Sequence, residues 1–296
     1  MTLAGVFAPI PTPFDAAHEI DLARLKSALH RWTSSPLTGF VVLGSNGEAV
    51  FLDESESDRV IAAARDAVPR GQPFIVGTGR ESTRATLNAT RRAVELGADA
   101  VLVRTPSFFK PQMTGEAFVG HYLTVADASA VPVILYNFTA MTGVTLPAEA
   151  VSRLAQHPNI AGMKESGGDT TRIAELVSVV PSSFAILSGS GATFCAALEA
   201  GAKGGVLALS SVLPEACSRL FELVRLGRIE EARTLQGRLV PLAQLLGSMH
   251  GVAGVKAALD LVGYDVGAPR PPLASVPETA RAAIRDALSA FEEVAA

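Results

Sequence analysis

With 296 residues, the chain is long enough for one large α/β domain or one domain with an appendage, and its composition of 48% hydrophobic and 18% charged residues provides ample core material. A formal net charge of −4 removes any electrostatic reason to expect nucleic acid or an anionic membrane as partner. No uninterrupted apolar run reaches membrane-spanning length, and the two cysteines, Cys195 and Cys217, form no CxxC, so neither a disulfide framework nor a structural zinc site is expected.

The start, MTLAGVFAPIPTPF, lacks a basic stretch and is interrupted by prolines, which makes a poor signal peptide and points to a cytoplasmic protein. Without a secretory signal, Asn88-Ala89-Thr90 and Asn137-Phe138-Thr139 are chance matches to a glycosylation pattern. Both cysteines read as small buried thiols.

In chain order, short apolar runs alternate with amphipathic stretches. The runs are Gly5 to Pro9, Gly39 to Leu43, Phe74 to Thr78 and Ala100 to Arg104, then Val133 to Tyr136, Ile160 to Lys164, Phe184 to Ser188 and Gly205 to Ala208. Each is apolar throughout rather than alternating, as strands covered on both faces should be. Ser82 to Leu96 reads as a helix, with Ser82 as N-cap and Gly97 as stop, and Arg84, Arg91 and Arg92 on its solvated face. Eight strand–helix pairs predict a (β/α)₈ TIM barrel within the α/β class, spanning residues 1–224. A doubly wound sheet is the rival, and the even spacing favours closure.

From residue 225 the strand-like runs cease. Leu226 to Leu246, Val255 to Val262 and Pro277 to Glu293 read as helices of a C-terminal extension over 225–296, with a Gly- and Pro-rich loop, Gly263 to Val276, before the last. Lys256 in this extension is read as structural.

A barrel of this kind builds its site from strand C-terminal ends. The chain has five lysines, and one of them, Lys164, closes the apolar run Ile160-Ala161-Gly162-Met163. Lysine is rarely buried, and desolvation at a barrel mouth favours the neutral amine that attacks a ketone. The competing reading is an ion pair with Glu165 or Glu48. Tyr136 ends the neighbouring strand and could relay protons; on its own it is equally a strand-end aromatic with its hydroxyl in solvent. Ser45, Asn46 and Gly47 offer a hydroxyl, an amide and a backbone N–H in a tight turn suited to a carboxylate, although such a loop is commonplace alone. Gly189-Ser190-Gly191 could instead hold a phosphate, which would leave Lys164 unexplained.

These residues carry a resemblance over nearly the whole length. Pro9-Ile10-Pro11-Thr12-Pro13-Phe14, Gly44-Ser45-Asn46-Gly47-Glu48, Thr105-Pro106, Leu135-Tyr136-Asn137, Gly162-Met163-Lys164-Glu165 and Leu187-Ser188-Gly189-Ser190 occur in order, and the chain resembles the dihydrodipicolinate synthase and N-acetylneuraminate lyase family of class I aldolases. The resemblance implies a Schiff-base lysine at Lys164, a proton-shuttling tyrosine at Tyr136, and a carboxylate site at Ser45 and Asn46 with backbone N–H groups. It also implies that Leu207 belongs to the substrate site with its backbone carbonyl facing the lysine, that the chain is a homotetramer (dimer of dimers) or a dimer, and that no metal or organic cofactor takes part. The iminium itself is the electron sink.

Three positions depart from that pattern. Met141 stands where synthases of the family use an arginine to bind the carboxylate of their second substrate, and a thioether offers no bidentate anion contact. Phe108 stands where a second tyrosine joins the relay of a neighbouring subunit, and Thr139 replaces the proline usual in its segment. Ser190 and its neighbours supply little to read a polyhydroxylated sugar acid. The stretch Gln156 to Asp169 is most similar to the 4-hydroxy-2-oxoglutarate aldolase subgroup. The expectation is therefore an aldolase releasing pyruvate and a short aldehyde. The alternatives are a dihydrodipicolinate synthase or sugar-acid lyase or dehydratase, and a non-catalytic 2-oxo acid binder.

Overall fold

The computed structural model describes residues 3–293. Eight parallel strands close into one barrel in chain order: β1 (Gly5–Pro9), β2 (Gly39–Val42), β3 (Phe74–Gly77), β4 (Ala100–Arg104), β5 (Val133–Asn137), β6 (Ile160–Glu165), β7 (Ala185–Ser188) and β8 (Gly204–Val206). β8 returns to β1, with Gly5 opposite Gly204, so the sheet has no free edge. The predicted TIM barrel is the observed fold. All eight runs are strands, with ends that differ by up to two residues.

The absence of alternation has a direct cause. One face of each strand fills the barrel interior, where Phe7, Val41, Ile75, Leu102, Ile134 and Leu187 pack in a single cluster. The other face, including Phe40, Val76, Val103, Leu135, Met163 and Ile186, packs beneath the surrounding helices. Both faces are dry, so the strands are apolar up to their C-terminal ends, where Arg104, Asn137, Lys164, Glu165 and Ser188 stand.

Helix ends follow local chemistry. Ser82 caps the helix Thr83–Glu95 by accepting from the Ala85 N–H at 3.1 Å, and Gly97 ends it at φ 92°. On that helix Arg84 and Arg91 are exposed, whereas Arg92 is half-buried and pairs with Asp58 and Glu54.

The C-terminal extension is helical, with boundaries that differ from the periodic reading. A helix Pro214–Arg225 follows the barrel, and the next begins at Ile229 rather than Leu226, because Gly227 at φ 72° breaks the run. That helix, Ile229–Gln244, passes through a short π-helical segment, Leu245–Met249, into Gly251–Leu261, which starts four residues before the expected Val255. The last helix is Glu278–Glu293. Among the described residues, no helix is long and apolar enough to cross a membrane.

Cys195 and Cys217 are buried and unpaired with each other; burial pushes the Cys195 thiol up to about 11 and that of Cys217 higher still. His121, on the helix Gly115–Ala128, is also buried. Its Nδ1 meets Thr83 Oγ1 at 2.9 Å, while Nε2 has no partner. Burial depresses its titration to about 4, with the Glu81 carboxylate opposing. Protons therefore bind the unfolded imidazole, near pH 6.5, more tightly than the folded one. The stability this contributes is complete above about pH 6.5 and is lost as pH falls towards 4. Urea unfolding at pH 7 and pH 5 should show His121→Asn losing roughly 2 kcal/mol less than the parent chain over that interval; equal losses would count against the assignment.

Candidate active site

The centre of the site is a consequence of register. β5 and β6 pair Val133 with Ile160, but the next pair is Ile134 with Gly162, because Ala161 is an extra residue on β6. From there Leu135 faces Met163 and Tyr136 faces Lys164. Without the shift Tyr136 would stand beside Met163, whose side chain lies under the helices. The bulge thus turns Lys164 into the barrel interior on the same face as Tyr136.

Lys164 is 7% exposed, and its Nζ sits 4.4 Å from the centroid of the Tyr136 ring. Tyr136 Oη lies 3.0 Å from Ser45 Oγ, so the phenol joins the amine to the loop after β2. The Phe138 ring stacks with that of Tyr136, their centroids 6.0 Å apart. Among the described residues no carboxylate or hydrogen-bond acceptor is paired with Lys164 Nζ. Glu48 is committed to Lys256 and Glu165 to Asn137, which disposes of both competing ion pairs.

The loop Gly44 to Glu48 is a tight structure. Leu43 and Glu48 both take left-handed conformations, at φ 55° and 53°. Gly47 N–H donates to the Gly44 carbonyl at 3.1 Å, Glu48 N–H donates to the Ser45 carbonyl at 3.1 Å, and Thr12 Oγ1 donates to the Gly47 carbonyl at 2.6 Å. Ser45 is exposed and Asn46 half-buried at the front, whereas Gly47 and Glu48 are buried behind.

Behind Tyr136 and Lys164, their chain neighbours form a second pair. Asn137 Nδ2 donates to Glu165 Oε2 at 2.9 Å, and Gly167 N–H donates to Glu165 Oε1 at 2.9 Å. Asn137 Oδ1 accepts from Leu146 N–H at 2.9 Å. Burial pushes the Glu165 carboxyl above its ordinary value, against the pull of these donors and of Arg172. Neither Asn137 nor this use of Glu165 was legible as a site feature, since each is an ordinary polar residue at a strand end.

The remaining candidates are less closely gathered. The Leu207 carbonyl accepts from Ser210 N–H at 3.0 Å and from Ser210 Oγ at 2.8 Å. Ser190 N–H donates to Ser188 Oγ at 3.2 Å, and the Ser190 side chain lies beside Gly168. Ser166 Oγ is buried without a partner and lies where a Cβ on Gly189 would be, 2.0 Å away; only glycine fits at 189. Met141 and Phe108 are 68% and 76% exposed, on the loops after β5 and β4. The Phe108 loop is itself held. Glu81 accepts from the N–H groups of Ser107 and Phe108 at 2.8 and 2.9 Å, and these bonds with Arg104 outweigh burial and lower its titration.

Known proteins resemble the chain over nearly its whole length. Residues 2–291 match the dihydrodipicolinate synthetase family. The chain is 36% identical to a 4-hydroxy-tetrahydrodipicolinate synthase of Stenotrophomonas maltophilia, over 99% of this chain and 98% of the relative. It is 37% identical to a probable mitochondrial 4-hydroxy-2-oxoglutarate aldolase of Emericella nidulans, over 96% of this chain and 94% of the relative. The crystal structure of a chloride-inhibited dihydrodipicolinate synthase from Acinetobacter baumannii complexed with pyruvate superposes with a TM-score of 0.94 at 31% identity, covering 98% of this chain and 99% of that one.

Asn137→Leu removes the donor to a buried carboxylate and the acceptor for Leu146 N–H together. It should cost roughly 3 kcal/mol in denaturant unfolding, whereas Asn88→Leu on the surface of the helix Thr83–Glu95 should cost under about 0.5 kcal/mol. Equal, small losses would show that the pair does not hold β5 to β6.

Proposed function

The chain belongs to the dihydrodipicolinate synthetase family, and on that premise we propose how its residues divide the work of a pyruvate-dependent class I aldolase. Lys164 is the Schiff-base residue. Its neutral amine attacks the C2 carbonyl of a 2-oxo acid, the carbinolamine loses water, and an iminium forms. For cleavage, a base takes the proton of the C4 hydroxyl, the C3–C4 bond breaks, and its electron pair moves through C3 to the iminium nitrogen. An aldehyde leaves and an enamine remains. Protonation at C3 and hydrolysis release pyruvate and regenerate the amine. The observation that carries this reading is the alignment of Lys164 with Tyr136 on the inner face, with Tyr136 Oη in turn 3.0 Å from Ser45 Oγ.

Tyr136 is the proton relay, and Ser45 links it to solvent at the mouth. Ser45 and Asn46 take the carboxylate of the 2-oxo acid through their side chains and their own N–H groups, since the Gly47 and Glu48 N–H groups are spent within the turn. The covalent imine does the electronic work of a cofactor.

The second substrate has two readings. Synthase names predominate among the relatives, which supports condensation of pyruvate with an aldehyde bearing a distant carboxylate more than it supports the expected 4-hydroxy-2-oxoglutarate aldolase. Met141 is the specific observation favouring the aldolase, whose aldehyde product would be glyoxylate. A thioether exposed at the mouth has no charge to offer that distant carboxylate. Ser190 is the hydroxyl left to meet the second substrate.

The exposed Phe108 and Phe109 rings, packed edge to face at 5.1 Å, suit an interface with a second copy of the chain. Sedimentation should find an oligomer that Phe108→Ser with Phe109→Ser weakens, and a monomeric parent chain would refute this.

Borohydride reduction in the presence of pyruvate should place one adduct on Lys164, and none in Lys164→Ala. Tyr136→Phe should lower turnover by about 10²- to 10⁴-fold while Lys164 can still be trapped. Absence of an adduct where a control aldolase is trapped would overturn the reading. Parallel assays of 4-hydroxy-2-oxoglutarate cleavage and of pyruvate condensation with aspartate semialdehyde decide the second substrate.

A further inference from the structure

Glu48 sends its side chain out of the Ser45–Gly47 turn and into the C-terminal extension. Its Oε1 lies 2.7 Å from Lys256 Nζ, with both side chains no more than 2% exposed. Its Oε2 accepts from Arg270 N–H at 2.8 Å. Lys256 also donates to the Ala268 carbonyl at 3.0 Å and lies over the Phe14 ring at 4.4 Å. The Arg270 guanidinium packs on that same ring at 4.5 Å, held by Glu56 and by the carbonyls of His18 and Phe51. The turn is thus gripped from behind through Glu48 and from β1 through Thr12, while Ser45 stays at the front against Tyr136.

A buried ion pair gives little net stability over an apolar pair of the same size, because two charges must be desolvated to make it. What it supplies is position: moving Glu48 away from Lys256 and the Arg270 N–H would leave a buried charge uncompensated, so the carboxylate stays where both reach it. We propose that Glu48 and Lys256 are positioning residues for the 2-oxo acid carboxylate: they hold the Ser45–Asn46–Gly47 turn in the form that meets Tyr136, and make the C-terminal helix Gly251–Leu261 part of the substrate site. The inference rests on the assignment of that turn as the carboxylate site and extends the structural reading of Lys256.

The test is borohydride trapping of the full-length chain across a range of pyruvate concentrations, read by mass, beside a thermal melt. Lys256→Met and Glu48→Gln should each raise the half-saturating pyruvate concentration by about tenfold or more, with the trapping rate at saturation within about twofold of the parent. Lys26→Met, which breaks an exposed pair with Asp66, should move neither. A purely structural role predicts a lower melting temperature with half-saturation unchanged, and that result in a folded variant overturns the inference while leaving Lys164 as the imine site. If Lys256→Met does not fold, the double variant Glu48→Gln with Lys256→Met, which leaves no unpaired buried charge, decides by the same measure. Failure of the parent chain to trap pyruvate overturns the Schiff-base reading and the inference with it.

Discussion

One extra residue in β6 governs the chemistry of the barrel. In a parallel ladder, residues in register share a face, and a shift of one residue moves every later side chain to the other side of the sheet. Ala161 introduces that shift between the pairs Val133–Ile160 and Ile134–Gly162. Everything beyond it follows: Met163 goes under the helices, Lys164 turns inward beside Tyr136, and Glu165 turns outward beside Asn137. The outer pair is closed on itself, with Glu165 held by Asn137 and by the Gly167 N–H. Glu165, which could have neutralised Lys164, is held facing the other way.

The rest of the site is borrowed from parts of the chain far apart in sequence. Thr12 after β1, the turn after β2 and the phenol at the end of β5 meet through side-chain hydrogen bonds rather than through the sheet. The C-terminal extension closes this assembly from behind, with Lys256 and Arg270 gripping Glu48 and clasping Phe14 between them. The extension is therefore more than a cover for the barrel, and its Gly- and Pro-rich loop is the stretch that delivers Arg270 to the turn.

What could be read from the sequence depended on how local its cause is. The strands were legible because burial on both faces makes each an unbroken apolar run, and Ser82 because an N-cap is a matter of three residues. Lys164 and Tyr136 stood out as polar residues ending apolar runs. The break at Gly227 was hidden by helical periodicity on both sides of it. Glu48 was weighed as a partner for Lys164, and Lys256 was read as structural; their mutual pairing needed the fold, since nothing in either segment marks the other. The commitment of the Leu207 carbonyl to Ser210 likewise depends on how the chain turns after β8.

The grip on Glu48 also has a consequence in time. Its donor from Arg270 lies 222 residues further along the chain, so a polypeptide emerging from the ribosome completes its barrel strands well before that donor exists. Until then Glu48 lacks that donor, and the turn is not yet gripped from behind. The extension therefore acts as a latch on the turn. A nascent chain with its eight strands paired has Lys164 and Tyr136 in register but not yet the groups that hold the Ser45–Gly47 turn from behind.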